Sequence, residues 1–182
     1  MDPHSADQQL FEDTLQHELV LPLAFQSSLP ASLSGSEMRL RAIALVEDGR
    51  SDDGEERSEV SAALHRMEAK LDLLLGLSAS LAALHRAPLH NVNALLSARG
   101  LRIDWPDQVS LPDPVTAVSL QATEWLPDPV TLPVAVIARQ PLAGGQRLWL
   151  AFGELGDGLQ VEMERYVFRL HRRHVANHRR AR

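Results

Sequence analysis

The stretch between Ser58 and Arg86 limits what this chain can fold into more than any other part of it. Val60, Leu64, Met67, Leu71, Leu74, Ser78, Leu81 and His85 recur at alternating spacings of 4 and 3. That is a heptad register, with Leu64, Leu71, Ser78 and His85 at a and Val60, Met67, Leu74 and Leu81 at d. Ser58 can cap the start, and Pro88 disfavours helical geometry just before it and so marks the end. A helix over 58–86 is about 43 Å long at 1.5 Å per residue. As an ordinary core helix on its own small domain it would leave much of its stripe uncovered. Ala63, Leu77 and Leu84 at g, with Leu75 and Ala82 at e, make the stripe wider than a two-stranded seam needs. The pattern therefore predicts a homo-oligomer held by an intersubunit helical bundle, with a tetramer favoured over a dimer. Val60, Leu64, Met67, Leu71, Leu74 and Leu81 are its candidate oligomerisation residues. Ser78 and His85 are polar breaks that set register. Gly76 costs about 1 kcal/mol relative to alanine and permits close helix approach.

The rest of the chain is expected to supply a small β-rich domain. Leu19–Phe25 reads as a short strand, with Pro22 placing it at an edge or bulge. Residues 1–17 read as a helical or frayed leader. Ser34 with Glu37 matches a capping box, and a three-turn helix over 37–48 has its apolar positions at Met38, Ala42 and Leu45. Gly49–Arg57 is a polar connector. After residue 92, prolines and glycines punctuate short β-rich runs: Leu101–Trp105, Val115–Thr123, Val130–Arg139 and Arg147–Phe152. Such spacing indicates a small antiparallel barrel or sandwich. A last helix is expected from Leu159. The domain ranges that follow are 1–35 (leader and first barrel strand), 36–92 (helical insertion) and 93–182 (barrel and closing helix).

Charge and composition exclude several function classes. The 182 residues include no cysteine, so disulfides, thiolate metal sites and a cysteine nucleophile are impossible. No apolar run reaches the roughly 20 residues needed to span a bilayer, and the N-terminus lacks a signal-peptide pattern. No membrane insertion and a cytoplasmic location are the expectation. Residues 1–57 carry 12 acidic and 4 basic side chains, whereas residues 159–182 carry 2 and 7. The basic tail invites a nucleic-acid reading. Aromatic residues do not interleave with its arginines, and the acidic front half repels a polyanion, so nucleic acid is not expected as a partner. His171, His174 and His178 share a helix face but sit among arginines that repel cations; no metal is expected. No phosphate-binding loop, nucleophile elbow or His-Glu-x-x-His pattern is present, and no catalytic residue is assigned.

Two further stretches carry a family resemblance. Leu96-Ser97-Ala98-Arg99-Gly100-Leu101 resembles the Ser-x-x-Gly turn of PilZ domains, the small β-barrels of bacterial cyclic di-GMP signalling. Met163-Glu164-Arg165-Tyr166-Val167-Phe168-Arg169-Leu170-His171-Arg172-Arg173 resembles the helix that closes that family. Between them lies a strand with Leu148-Trp149-Leu150-Ala151-Phe152. The chain most resembles atypical, helix-bearing tetrameric members. The resemblance implies an α+β fold: a PilZ-like antiparallel β-barrel with a long inserted heptad helix and a C-terminal helix. It also implies a part in cyclic di-GMP-controlled behaviour such as motility, attachment or virulence.

Usual members of the family hold the dinucleotide with an Arg-x-x-x-Arg before the first strand and an Asp/Asn-x-Ser-x-x-Gly turn. This sequence departs from both. Residues 1–18 contain no arginine, and Leu95 stands at the acid or amide position of the turn. Ser97, Arg99 and Gly100 are left as a remnant ligand motif, with a structural reading too: glycine for the turn, serine bonding its backbone. Losing the charge-assisted contacts, each worth about 1.5–3 kcal/mol, predicts weak or absent cyclic di-GMP binding. The expected function is a non-enzymatic adaptor without a cofactor, acting on a protein partner through the basic helix or exposed apolar residues such as Trp125. The alternative is a cyclic di-GMP receptor with non-standard contacts from Arg99 and Arg102.

Overall fold

The computed structural model of the protein describes residues 1–49, 67, 70, 71, 74, 88–126 and 128–180. The elements are α1 (Pro3–Phe11), β1 (Gln16–Gln26), α2 (Ser34–Gly49), β2 (His90–Ser97), β3 (Gly100–Pro106), β4 (Ala117–Leu120), β5 (Val130–Leu142), β6 (Gly145–Phe152) and α3 (Asp157–Arg180). The strands close into a barrel in the order β1-β2-β3-β6-β5-β4, antiparallel at every step. Each strand thus has a strand neighbour on both sides, over at least part of its length. The fold class is the expected one.

Alternation along the strands builds the core. Leu21 and Leu23 of β1, Val92, Ala94 and Leu96 of β2, and Leu148 and Leu150 of β6 point inward and are buried together. Leu40 and Ile43 of α2 and Leu159, Met163, Tyr166 and Val167 of α3 join the same cluster. The Tyr166 hydroxyl donates to the Ala122 carbonyl at 2.7 Å, so its polar tip is satisfied; burial pushes the phenol well above its usual pKa. The β5–β6 turn needs glycine: Gly144 has φ +86, and a Cβ on Gly145 would sit 2.2 Å from the Trp105 carbonyl oxygen.

Several expectations are corrected. β1 is longer than expected and is not an edge. It pairs with β2 on one side and β4 on the other. Pro22 is tolerated because it lies one residue past the β4 ladder, where its carbonyl still accepts the Gln121 N–H at 2.9 Å. β2 was not anticipated as a strand, and it begins at His90, ahead of the expected boundary at residue 93. The Val115–Thr123 run yields only the strand Ala117–Leu120. Trp125 is half-buried against the core rather than free in a turn.

The largest correction concerns α2. The capping box does not form: the Ser34 hydroxyl lies 2.9 Å from that of Ser32, and Glu37 pairs with Arg41 at 2.7 Å. The face toward the barrel is Ser36, Leu40 and Ile43, whereas Met38 and Leu45 are 70% and 71% exposed. Ser36 fits the buried side because its hydroxyl is fully used. It donates to the Thr131 carbonyl at 2.7 Å and accepts the Thr131 N–H at 3.0 Å, tying α2 to β5.

Two arginines of α3 pair with α2, while Arg172 and Arg173 keep much of their surface exposed. Arg169 lies 3.5 Å from Glu47 of α2, and Arg173 pairs with the same carboxylate. Buried Glu162 accepts from Arg165 at 3.1 Å and lies 3.6 Å from Arg41. These pairs lock α2 alongside α3.

Of the heptad seam, Met67, Leu71 and Leu74 are described. All three are helical, and they are 64%, 54% and 61% exposed. Val60, Leu64, Ser78, Leu81 and His85 lie outside the described residues.

The facing of α2 has a direct test. Leu40→Ala should cost about 2–5 kcal/mol in urea unfolding, and Leu45→Ala no more than about 0.5 kcal/mol. Equal costs would mean that α2 is rotated from the orientation described.

Candidate functional site

Strand register lines up one row of outward residues across the barrel. Glu18 of β1 stands opposite Leu95 of β2, Leu95 opposite Arg102 of β3, Arg102 opposite Trp149 of β6, and Trp149 opposite Ala138 of β5. Side chains alternate across a sheet, so this row faces away from the core. Trp149 is nevertheless buried, because α1 lies over the row. Ala6, Leu10 and Phe11 of α1 form a second apolar cluster with Ala138 and Trp149, flanked by Leu95, Ile137 and Ala151.

The local sequence explains why α1 forms. Asp2 is the N-cap, its carboxylate accepting the His4 and Ser5 N–H groups at 3.1 Å, and Pro3 occupies the first turn. Asp7 then faces the barrel. Its carboxylate accepts two contacts from Arg102 Nη1, at 2.9 and 3.0 Å, and one from Trp149 Nε1 at 2.7 Å. The Arg102 guanidinium also lies 5.8 Å from the Phe11 ring centroid.

The remnant ligand motif sits at the same place. Ser97 is fully buried; its hydroxyl donates to the Leu10 carbonyl at 2.7 Å and accepts the Arg99 N–H at 3.0 Å. Arg99 Nη1 reaches the carbonyls of Glu12 at 3.1 Å and Gln9 at 3.4 Å, capping the end of α1. A Cβ on Gly100 would meet the Leu150 carbonyl oxygen at 2.1 Å and Leu10 Cδ2 at 2.9 Å. Glycine is needed here for close approach, not for an unusual φ. The structure thus brings Ser97, Arg99, Gly100 and Arg102 together and joins each to α1. Leu95, in the acid or amide position of the motif, is half-buried beside the α1 cluster.

A neighbouring row stays open. Val20, Asn93, Asp104 and Arg147 line a groove of about 380 Å³ with Glu18, Leu95 and Arg102. Arg147 binds Asp104 with both arms of its fork, at 2.6 and 2.9 Å, and holds that carboxyl below its usual pKa. On the far side of β1, His17 meets His174 of α3 with ring centroids 5.2 Å apart. Burial, then the charges of His174 and His171, lower the His17 pKa. Among the described residues no group of three or more acidic or histidine side chains could hold a metal; His178 lies outside the residues whose side chains are described.

The residues that organise this face were not singled out from sequence. Asp7, Leu10, Phe11 and Trp149 carry it. The signals were present: Asp2-Pro3 is a helix start, and Leu148-Trp149-Leu150 breaks alternation, as a strand covered on both faces does.

The family model for the atypical PilZ domain, described as a cyclic di-GMP receptor, matches residues 40–180. The chain belongs to the atypical PilZ family. Domains of this family are receptor or adaptor domains, and the chain is not an enzyme. Its fold is also that of a solved pathogenic protein from Xanthomonas campestris, described as a tetrameric PilZ domain self-assembled via an unusual helical bundle. The two are 40% identical, the match covers 96% of this chain and 97% of that one, and the TM-score is 0.78. Curated proteins gave no match. No described helix is long and apolar enough to cross a membrane.

Gly100→Ala tests the close approach at this turn. The Leu150 backbone cannot yield, and Leu10 of α1 closes the other side. The substitution should destabilise the domain by about 1–3 kcal/mol, and amide exchange should quicken in α1 before it does in the barrel. Unchanged unfolding and unchanged α1 protection would refute the tight packing of Gly100.

Proposed function

We propose that this PilZ protein is a cytoplasmic, non-enzymatic signalling adaptor of a cyclic di-GMP pathway. It self-assembles through its heptad helix, as a tetramer, and acts by binding another protein rather than by the family's usual contacts with the dinucleotide. The observation that carries the reading is the engagement of the remnant motif by α1. Ser97, Arg99 and Arg102 are each hydrogen-bonded to α1, and the Asp7 carboxylate takes the charge of Arg102 that a phosphate would need. Residues 1–18 contain no arginine. Calorimetric titration of the full chain with cyclic di-GMP should give no heat, and equilibrium dialysis no retention, at ligand concentrations up to about 100 μM. Micromolar binding would overturn this reading in favour of a receptor that uses Arg99 and Arg102 in a non-standard way.

The assembly is supported by Met67, Leu71 and Leu74, apolar residues of one heptad seam that stay exposed in the single chain, and by the tetrameric state of the Xanthomonas protein. Replacing Leu71 and Leu74 with glutamate puts charges in that seam. Light scattering should then show the mass fall from four subunits toward one, with the far-ultraviolet spectrum of the barrel kept. A folded variant of unchanged mass would remove the seam from the interface.

A further inference from the structure

The face beneath α1 is already solved for a helical ligand, and α1 shows the chemistry it takes. The row Leu95, Arg102, Trp149 and Ala138 offers an apolar floor with one cation and one N–H donor at its centre. The occupant supplies an aspartate to that centre and, three and four residues later, a leucine and a phenylalanine to the floor. We propose that this face is the protein-docking surface of the adaptor, that α1 is its resident stand-in, and that the partner is an amphipathic helix carrying Asp-x-x-Leu-Phe chemistry. This deepens the adaptor reading and rests on it.

Three observations make α1 exchangeable. It has nine residues, shorter than a helix that persists alone in water, so its helicity depends on the face it covers. Its central ion pair is only partly buried, Arg102 and Asp7 being 25% and 38% exposed. Residues 12–15 link it to β1, with Asp13 at φ 55 in the turn, while β1 is paired independently with β2 and β4. Release of α1 therefore opens the face and leaves the barrel closed. As a tethered competitor, α1 acts at an effective concentration on the order of millimolar. A partner helix must bind tightly, or α1 must be loosened first.

The test uses the full chain and a fluorescein-labelled synthetic peptide with the sequence of residues 1–15. In fluorescence anisotropy the Leu10→Ala, Phe11→Ala chain should bind the peptide at least tenfold more tightly than the unaltered chain. Adding Arg102→Ala to that chain, or Asp7→Asn to the peptide, should cost at least tenfold. Should the double variant lose barrel amide protection, the unaltered chain decides. With an isotopically heavy peptide at millimolar excess, exchange of the resident α1 amides should rise severalfold while β3 and β6 stay protected. No peptide binding by a folded double variant, or unchanged α1 exchange in the unaltered chain, would overturn the proposal. A fall in subunit count by light scattering on loosening α1 would assign the face to a second copy, and would overturn it as well. Any of these failures leaves the cyclic di-GMP titration, and hence the adaptor reading, to be judged separately.

Discussion

The charge on Arg102 organises the outer face of this barrel. The guanidinium stands in the middle of a row that also holds Leu95, Trp149 and Ala138. Left open, that row would expose an indole and a leucine to water beside an unpaired cation. Covering it with a purely apolar helix would strand the charge, a cost of several kcal/mol. Asp7 resolves both demands: it brings one carboxylate to Arg102 and Trp149 while Leu10 and Phe11 cover the floor. The placement of α1, the burial of Trp149 and the fate of the Ser97–Gly100 turn all follow from that contact.

Barrel closure governs the rest of the architecture. β1 and β2 are antiparallel neighbours, and Leu23 stands opposite His90 at the end of their ladder. Everything between them occupies the place of a hairpin loop. Both feet of the insertion are therefore fixed at one end of the barrel by a continuous ladder. Long insertions at such points add little closure cost, since each doubling of loop length costs only about 0.6 kcal/mol. The insertion first returns to the barrel as α2, which Ser36, Leu40 and Ile43 fasten to the core, and which Glu47 fastens to α3. Only then does the chain enter the heptad stretch. The geometry separates the two jobs: the barrel keeps its own core, and the exposed Met67, Leu71 and Leu74 are left to face outward.

What was legible in the sequence divides along physical lines. Strands with clear alternation and glycine or proline punctuation were readable, as with Leu101–Trp105 and Arg147–Phe152. The helical state of Met67, Leu71 and Leu74 was readable because a heptad period is set by backbone geometry rather than by neighbours. α2 was misread because it carries two stripes. Met38, Ala42 and Leu45 are spaced as well as Ser36, Leu40 and Ile43, and only the former stripe is apolar at every position. A serine on the buried face is intelligible only once Thr131 is known to lie opposite. β2 was missed because His90, Asn91 and Asn93 dilute its alternation, and its pairing on both sides overrides that weak propensity. Ser97, Arg99 and Gly100 were singled out through the resemblance of their turn to that of PilZ domains, and α1 packs on them. Asp7, far from them in sequence, had no local mark, because its role is defined by the strand register that brings Arg102 and Trp149 under it.

The sign of the charge at this face bears most directly on function. In the usual members of the family, the segment before the first strand brings arginines to the barrel, and the ligand brings phosphates. Here the segment before β1 brings Asp7, and the barrel brings Arg99 and Arg102. The polarity of the two sides is reversed. A diphosphate ligand would find one of its cations neutralised by a carboxylate and the other spent on the carbonyls of Gln9 and Glu12. A protein helix ending in the same carbonyls, and carrying the same acid, would find both in place. The arm before β1 thus lays a helix rather than a pair of arginines on this face, and the β2–β3 turn meets that helix through Ser97 and Gly100.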